Sequence, residues 1–592
     1  KGVRGGTAPL RFRWEGPDGS RVLTQLTDGY GWGFDEDRLV ALERDPAYPY
    51  DAFLAMYVTG DNVGPADLVE VAKLAKRTAE RYAYPRFRIG PVDEFVDAIE
   101  ARFADQVPVV KTELTDWWIH GVASMAPEVA IARKARELLP AAEKAWSLAS
   151  LAAPQTPYPA RRFAEGYIQS LLFSEHTWGM AGFKPEPRPP AARDLDTNQS
   201  EGYRQMRRSW EVKGQEARTA GQIADETSLG GLTALGESLG VRRGGEPVIL
   251  VFNPLNWSRS DLVRIPLAEL GRGGPVALRD AATRALVPAQ VDGADLVFLA
   301  RDIPSVGYAL FTIEAASTSP AVVTEPTSKG IENARYRIAF DEPAGSVRSI
   351  VDRQTGAELV DREAPFRLGQ YVYEGMAKAD GAGWHGSPWT GRGTGRVVPQ
   401  AARTRIERGA AFTRFTAEGP LEIKDFPVEI GSVDRVVQTV TVPHELDWIQ
   451  CEVRLEGKRP TALVEQGNIA FPFQIKGGKT RLELLGSVVD PEVDLQTAGN
   501  RDCFAVQSWV DVTGPAGGVT WCPIDTTITT LGDFRLFHQL HAAGEAAEDG
   551  LEIDAVLWAA KAYIVQFHAK RASTKVWGSK LCRSSIFSPS SP

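Results

Sequence analysis

Pro247-Val248-Ile249-Leu250-Val251-Phe252-Asn253-Pro254-Leu255-Asn256 marks the point at which the sequence changes from a helical to a β pattern. Residues 248–252 are an apolar run that predicts a strand, 253–256 predict a turn, and 262–266 predict the next strand. This hairpin pattern continues through much of the remaining chain, with clear apolar and polar alternation at 334–340 and 449–455. Such a long series of strands predicts large β-sandwich layers.

The residues upstream of this stretch predict a helical bundle. Helical patterns rich in Ala, Glu, Arg and Leu cover 127–152, 160–173 and about 198–226. Proline-rich breaks at 154–159 and 185–190 separate these patterns. We therefore expect three main helices ahead of the β-sandwiches.

The start of the chain predicts an α/β segment. The six-residue apolar run at 53–58 is typical of a strand buried on both faces. A helix is predicted from about residue 66 to residue 83, where Pro85 stops it, and a second helix over 92–103. The predicted fold class is a multi-domain chain that runs from α/β through α to β.

The length of 592 residues exceeds what one core holds and predicts roughly three or four domains. A Ser/Thr/Pro-rich stretch at 317–328 predicts a linker, and the Ser/Pro-rich end of the chain predicts disorder. The predicted divisions are 1–105 for the α/β segment, 106–245 for the helical bundle, 246–325 for a small β domain, 326–583 for a large β-sandwich and 584–592 for a disordered tail.

Composition excludes two classes of partner. The net charge of −9 is spread without long blocks of one sign, so nothing predicts binding to nucleic acid or to an anionic membrane. No apolar run approaches the roughly 20 residues that span a bilayer. The four cysteines are too few and too irregularly spaced for a disulfide framework or a metal site of the Cys-x-x-Cys kind.

The stretch Ser174-Glu175-His176-Thr177-Trp178-Gly179 is the main candidate for chemistry. It places a carboxylate, an imidazole and an indole directly after a helical apolar run. His176 in this position is either a metal ligand or proton shuttle, or a core histidine packed beside Trp178 with both nitrogens satisfied. The surroundings of His176 decide between these alternatives.

Two further candidates lie upstream. Asp61 and Asn62 follow the predicted strand, and the carboxyl ends of strands carry the chemistry of α/β sheets and barrels. The alternative is that Asp61 forms a turn or caps the next helix. Asp116 and Trp118, beside a second indole, form either a sugar platform or a hydrophobic seam between domains.

Five stretches together resemble glycoside hydrolase family 38, the α-mannosidases, and more closely a bacterial branch of glycosyl-hydrolase-related proteins of unassigned specificity. They occur in family order over most of the chain. The stretches are Gly60-Asp61-Asn62-Val63-Gly64-Pro65, Asp116-Trp117-Trp118-Ile119-His120-Gly121-Val122-Ala123-Ser124, Glu175-His176-Thr177-Trp178-Gly179, Val251-Phe252-Asn253-Pro254-Leu255-Asn256-Trp257 and Ser349-Ile350-Val351-Asp352-Arg353-Gln354-Thr355-Gly356.

The resemblance implies a fold, a cofactor and roles for residues. The fold would be the C-terminal part of a (β/α) barrel, a helical bundle and β-sandwiches of the galactose-mutarotase-like supersandwich type. The cofactor would be Zn²⁺, with His176 as one ligand, in a retaining hydrolysis of glycosidic bonds. Asp61 would be the catalytic acid/base, and the substrate contacts would come from Asn62, Asp116, Trp118 and Trp178.

The sequence departs from the family pattern in ways that matter for activity. No histidine is followed at the second position by aspartate, and no segment matches the family's nucleophile. Both would precede residue 1, so we expect a fragment that is inactive alone while the complete protein is a glycosidase. Some relatives carry an aspartate where this chain has Asn62, which leaves the acid/base position open between Asp61 and Asn62.

A function of another class stays open. A non-catalytic carbohydrate-binding or scaffold protein could use the sandwiches and exposed indoles to hold glycans, since a fold alone does not establish a catalytic activity. A third interpretation makes His538 and His541 a separate metal pair, although their stretch is more typical of surface residues. A homo-oligomer is compatible with the sequence, and the compartment stays open between cytoplasm and export.

Overall fold

The computed structural model describes most of the chain with gaps. The described residues are 9–26, 36–56, 64–84, 86–115, 119, 125–176, 201–241, 248–270, 274–318, 321–375, 396–422, 433–458, 465–496, 503–526, 528–532 and 580–587. They divide into two compact units, each of which is described by itself. The first unit is Lys1–Trp117 with Val489–Arg501, and the second is Trp118–Val488 with Asp502–Pro592.

The first unit combines helices with a small sheet, as expected for an α/β segment. The elements of this unit are β1 (Arg11–Glu15), β2 (Arg21–Gln25), α1 (Glu36–Glu43), α2 (Leu68–Arg81), α3 (Val92–Phe103) and β3 (Val109–Val110). Strand β1 pairs with β2 in antiparallel and with β3 in parallel orientation. The side chain of Asp67 caps α2 by accepting a hydrogen bond of 2.8 Å from the amide of Val69.

Two features of the first unit differ from the prediction. The apolar run at 53–58 does not form a strand over its described residues, 53–56. A strand buried on both faces needs neighbours on both sides, and none of the three described strands of this unit pairs with the run. The segment Val489–Arg501, predicted within the large sandwich, belongs to the first unit, where Glu113 and Asp494 are joined by a backbone hydrogen bond of 2.7 Å.

The helical part of the second unit consists of three helices. They are α4 (Ala126–Ala152), α5 (Ala160–Phe173) and α6 (Glu201–Ser238). Small and apolar side chains from all three meet in one core: Ala135, Leu139, Ala142, Phe163, Ala220, Ile223 and Ala224. Helices α4 and α6 approach closely because Gly230 and Gly231 face the indole of Trp146, where an added Cβ would lie only 2.9 Å from the ring.

The rest of the second unit consists almost entirely of strands, as the series of hairpins predicted. The described strands are β4 (Val248–Asn253), β5 (Arg259–Pro266), β6 (Val276–Asp280), β7 (Leu286–Val287), β8 (Ala289–Asp292), β9 (Asp295–Ile303), β10 (Gly307–Ala315), β11 (Val323–Glu325), β12 (Ile331–Glu332), β13 (Tyr336–Asp341), β14 (Ser346–Asp352), β15 (Tyr371–Gly375), β16 (Arg396–Val397), β17 (Arg403–Arg408), β18 (Phe412–Leu421), β19 (Val433–Pro443), β20 (Trp448–Glu456), β21 (Glu465–Ile469), β22 (Lys479–Leu484), β23 (Ser487–Val489), β24 (Phe504–Ala505), β25 (Val510–Gly514), β26 (Gly517–Pro523), β27 (Ile528–Thr529) and β28 (Lys580–Phe587).

These strands form one large sheet and several small ones. The large sheet has ten strands in the order β11-β17-β18-β19-β20-β28-β26-β25-β22-β23. The smaller sheets of the small β domain are β4-β10-β6-β7 and β5-β9-β8, which enclose a core that includes Phe298 and Phe311. The others are β12-β13-β14, β16-β15-β21 and β24-β27. The predicted order of α/β, helical and β parts is therefore confirmed.

The large sheet extends past two of the predicted divisions. Strand β11 pairs with β17, so Val323–Glu325 lie in the large sheet although the sequence predicted a linker there. The last strand, β28, pairs with both β20 and β26, and it includes residues 584–587 of the predicted disordered tail. In both cases the segment forms a strand because neighbouring strands supply partners for its backbone groups.

Polar side chains join the small β domain to the large sheet. Gln290 accepts hydrogen bonds from the amides of Ala411 and Phe412, at 2.9 and 3.0 Å. Asp292 accepts two hydrogen bonds from the Arg414 guanidinium, at 2.6 and 2.8 Å. Burial alone would raise the pKa of Asp292, but the hydrogen bonds and charges of Arg414 and Arg264 outweigh it and lower the pKa to about 2.

Helix α4 contacts the β part through two long basic side chains. Lys144 donates a hydrogen bond of 2.9 Å to the carbonyl of Pro254. The guanidinium of Arg133 donates to four backbone carbonyls, those of Val506, Gln507, Pro523 and Ile524, at distances between 2.6 and 3.4 Å. Because a guanidinium presents its donors in a rigid fork, this contact fixes the orientation of α4 on the β part.

Candidate functional site

Only one of the six predicted site residues, His176, lies among the described residues. Asp61, Asn62, Asp116, Trp118 and Trp178 lie outside the ranges that the structure describes. His538 and His541 also lie outside them. The geometry available for the candidate site is therefore that of the chain around His176, at the end of helix α5.

The turn that carries His176 begins where α5 ends. The helix ends at Phe173, and the amides of Ser174 and Glu175 still donate to the carbonyls of Leu171 and Leu172, at 3.0 and 3.1 Å. The Ser174 hydroxyl donates to the carbonyl of Ser170 at 3.0 Å. These bonds continue the helical path for one short turn and place residues 174–176 at the C-terminal end of α5.

The ammonium of Lys213, on α6, binds the end of α5. Its Nζ donates to the carbonyl of Glu175 at 2.5 Å and to that of Leu172 at 3.2 Å. It also contacts Oε2 of Glu175 at 3.4 Å and lies 5.9 Å from the centre of the Phe173 ring. A cation that satisfies the last carbonyls of a helix is favoured by the helix dipole, so Lys213 stabilises the turn.

A second basic residue reaches the same turn from helix α4. The guanidinium of Arg136 donates a hydrogen bond of 2.8 Å to the hydroxyl of Ser174. The turn is thus held by side chains from both of the other helices in the bundle. Neither contact involves the imidazole of His176.

His176 itself lies at the surface, paired with the preceding residue. Its Nδ1 is 2.9 Å from Oε1 of Glu175, and 52% of its side chain is exposed. An ionised carboxylate can only accept a hydrogen bond, so Nδ1 is the nitrogen that carries the proton in a neutral imidazole. The lone pair then lies on Nε2, which is the form of histidine that binds a metal ion.

Two carboxylates and one ammonium share this end of the bundle. Burial lowers the pKa of Lys213, and the charge of Glu175 opposes that change. Burial also raises the pKa of Glu216, one helical turn after Lys213 on α6, with Glu175 acting in the same direction and Lys213 against it. The positive charge of Lys213 is therefore compensated by the Glu175 carboxylate rather than left alone in the bundle.

The described residues contain no complete metal site. In the ranges given above, no three His, Cys, Asp or Glu side chains come together to hold a metal ion. Imidazole is one of the ligand types that zinc takes, and the imidazole of His176 is exposed. The interpretation of His176 as a buried core histidine is wrong, because half of its side chain is exposed.

Two other stretches that carried the family resemblance have structural roles. Asn253 is buried, and its amide donates to the carbonyls of Trp257, Ile303 and Pro304 at 2.7, 3.1 and 3.0 Å. Asp352 is buried with Arg335, at 2.8 Å, and accepts a hydrogen bond of 2.8 Å from the amide of Gln354. Asn253 therefore stabilises a turn, and Asp352 stabilises a hairpin.

Lys213 and Arg136 were not predicted as part of the site. Lys213 nevertheless carries a signal in the sequence, because it occupies a position on the apolar face of α6. It is spaced at three, four and seven residues from other buried positions of the helix: Trp210, Ala217 and Ala220. A lysine on such a stripe is rarely buried without a partner, so it indicates a specific acceptor.

Comparison with solved structures identifies the fold. The chain is similar to an alpha-mannosidase from Enterococcus faecalis V583, with a TM-score of 0.64 at 13% sequence identity, over 98% of this chain and 69% of that one. It is also similar to a protein in the glycosyl hydrolase family 38 from Enterococcus faecalis, with a TM-score of 0.59 at 12% identity and the same coverage of both chains.

Sequence comparison adds no closer relative. No protein-family model matches the chain, and neither does any curated protein. Within the described part of the chain, none of the helices combines the length and the apolarity that crossing a bilayer requires. The resemblance predicted from the five stretches is confirmed in three dimensions, and the chain has the fold of these glycosyl hydrolase family 38 structures.

Proposed function

We propose that this chain is part of a zinc-dependent, retaining glycoside hydrolase of the α-mannosidase type, with His176 as one of the zinc ligands. The similarity in fold to an alpha-mannosidase supports glycosidic bonds as the substrate class. The chemistry of the His176 turn supports the metal.

The observation that carries the proposal is the contact of 2.9 Å between Nδ1 of His176 and Oε1 of Glu175. Histidines that bind metals commonly donate their other ring N–H to a carboxylate, which fixes the tautomer and the orientation of the ring. Here the carboxylate precedes the histidine in the same turn, and the imidazole is exposed.

The proposed roles of the other residues follow from their chemistry. Asp61 donates a proton to the leaving oxygen, because a carboxyl group can transfer a proton and the amide of Asn62 cannot. Asn62 and Asp116 bind sugar hydroxyls through hydrogen bonds, while Trp118 and Trp178 stack against the sugar ring. When bound, Zn²⁺ would supply an electrophile that holds two of the sugar hydroxyls.

The retaining mechanism requires one more carboxylate. In retaining enzymes two carboxyl groups lie about 5–5.5 Å apart across the glycosidic bond, one as the acid/base and one as the nucleophile. The sequence offers no match to the nucleophile segment of the family. The proposal therefore concerns the complete protein, and its activity is to be measured on that protein.

The test is to measure zinc content and hydrolysis of aryl α-mannosides in that protein, in the wild type and in the His176→Ala variant. We expect the variant to lose both zinc and activity, since removal of one ligand leaves the others poorly coordinated. The matched control is His444→Ala, because His444 lies in the β part and contacts Thr413 at 3.0 Å. It should retain zinc and activity.

Two results would overturn the proposal. Full zinc occupancy in the His176→Ala variant would remove the role assigned to His176. A wild-type protein that binds mannosides without cleaving them would instead support the non-catalytic carbohydrate-binding function.

A further inference from the structure

Lys213 differs from the other lysines of the helical part in its burial. Only 6% of its side chain is exposed, whereas the side chain of Lys134, on α4, is 63% exposed and pairs with Asp225 at the surface. Burying an ammonium is unfavourable unless its donors are satisfied and its charge is compensated. A lysine at this position of α6 is therefore expected to have a specific task.

Three acceptors of Lys213 lie in one short segment of the chain. An ammonium has three N–H donors, and three oxygens of this segment lie within 3.4 Å of Nζ: the carbonyls of Leu172 and Glu175 and Oε2 of Glu175. All three belong to the last turn of α5 or to the residue before His176. Lys213 therefore binds the backbone on which His176 sits and also the carboxylate that contacts its Nδ1.

The Glu175 carboxylate is the link between the two side chains. Its Oε1 contacts Nδ1 of His176 at 2.9 Å, while its Oε2 contacts Lys213 at 3.4 Å. Because the two oxygens are rigidly joined, fixing one restricts the position of the other. The position of the ammonium therefore restricts the orientation of the imidazole.

We propose that Lys213 is a positioning residue, which holds the Ser174–His176 turn and the Glu175 carboxylate so that the imidazole of His176 points at the metal. Arg136, on α4, assists by donating a hydrogen bond of 2.8 Å to the hydroxyl of Ser174. The inference rests on the proposed function and deepens it, because it explains how an exposed side chain keeps one orientation. It concerns residues of the second unit only.

The shape of the group matters as well as its charge. Lysine offers a compact set of three donors, whereas arginine offers a longer planar fork that cannot address the same three oxygens. We therefore expect Lys213→Arg to fail to restore the geometry although it keeps the charge. A role limited to charge compensation would be restored by arginine.

The first measurement is hydrogen exchange of the amides of Ser174 and Glu175, compared between the wild type and Lys213→Met. Methionine keeps the volume and removes the three donors, so the end of α5 should fray and these amides should exchange roughly tenfold faster. Lys134→Met is the matched control on α4 and should leave them unchanged. Unchanged exchange in Lys213→Met would overturn the positioning role whether or not the protein binds zinc.

The second measurement is zinc affinity in the complete protein by competition with a chromophoric chelator. Loss of a group that orients a ligand typically weakens metal binding about 10–100-fold, and we expect a loss in this range for Lys213→Met and Lys213→Arg. Lys134→Met should bind zinc as the wild type does. Wild-type affinity in Lys213→Met, together with weakened binding in His176→Ala, would overturn the inference while the proposed function stands.

The opposite pattern identifies failure of the proposed function. If the wild type and His176→Ala bind zinc equally, His176 is not a ligand. Lys213 then has no metal ligand to orient. Faster exchange in Lys213→Met would then show a stabilised helix end with no metal role, which would also overturn the inference.

Discussion

The helical and β parts of the second unit use polar side chains in opposite ways. In the β part, Asn253 and Asp352 are buried, and their oxygens and nitrogens are bonded to the surrounding turns. In the helical part, His176 is half exposed, and it is the neighbouring Lys213 that is buried. Asn253, Asp352 and His176 all lie in stretches that carried the family resemblance.

The difference shows that a stretch that resembles the family can carry either a structural residue or a candidate functional residue. The burial of the side chain distinguishes these two cases. A buried side chain whose hydrogen bonds are all made to its own fold has no atoms left to bind a substrate. An exposed side chain on a turn that its neighbours hold in place is accessible to a partner outside the fold. The variants below test this separation, from the largest expected effect to the smallest.

Asp352→Ala should give the largest loss of stability. It leaves the guanidinium of Arg335 buried without its carboxylate, and breaking a buried ion pair in this way costs about 4 kcal/mol. Urea unfolding measures the change. The control is Glu332→Ala, whose ion pairs with Arg337 and Arg353 are at the surface and should contribute far less to stability. Equal losses in the two variants would contradict the structural role of Asp352.

Asn253→Ala should come next. The carbonyls of Trp257, Ile303 and Pro304 lose their donor, which we expect to cost about 3 kcal/mol. The exposed neighbour Asn256 provides the control, since Asn256→Ala should change the free energy of unfolding by less than about 0.5 kcal/mol. Should Asn253→Ala unfold at the wild-type urea concentration, the turn does not depend on this side chain.

The Asp292–Arg414 contact predicts that the free energy of unfolding depends on pH. The pKa of Asp292 is about 2 in the folded chain against an ordinary value of 3.8, so its ionised form stabilises the fold above about pH 4. That contribution, about 2 kcal/mol, is lost as the pH falls through 2. The difference in unfolding free energy between the wild type and Asp292→Asn should shrink over this range. A difference that stays constant from pH 5 to pH 2 would contradict the assignment.

His176→Ala should have the smallest effect on stability. The side chain is exposed and its removal leaves the contacts of Lys213 and Arg136 in place, so the change should lie within about 0.5 kcal/mol in the metal-free protein. Thermal unfolding of the metal-free wild type and variant provides the comparison. A large loss would place His176 with Asn253 and Asp352 as an architectural residue.

Regular patterns in the sequence predicted much of the fold. The helix expected over 92–103, after Gly90 and Pro91, has those bounds in the structure. The alternating stretch at 449–455 lies in β20 (Trp448–Glu456), with buried and partly buried residues in strict alternation. Such elements are predictable because local periodicity and burial agree.

Features that depend on distant contacts could not be predicted in the same way. The apolar run at 53–56 is not a strand, and the Ser/Thr/Pro-rich stretch around Val323–Glu325 contributes one, because pairing partners decide both outcomes. The task of Lys213 depends on acceptors 38 and 41 residues earlier in the chain. The local sequence pattern does not indicate which helix end lies beside Lys213.

The four carbonyls that bind Arg133 have a consequence for how the protein is made. They follow Arg133 in the chain by 373 to 391 residues. At a synthesis rate of about 5–20 residues per second, they leave the ribosome roughly 20–80 s after the helix does. Until then this guanidinium has none of the four carbonyls to bind, so the docking of the β part on α4 follows the synthesis of residue 524.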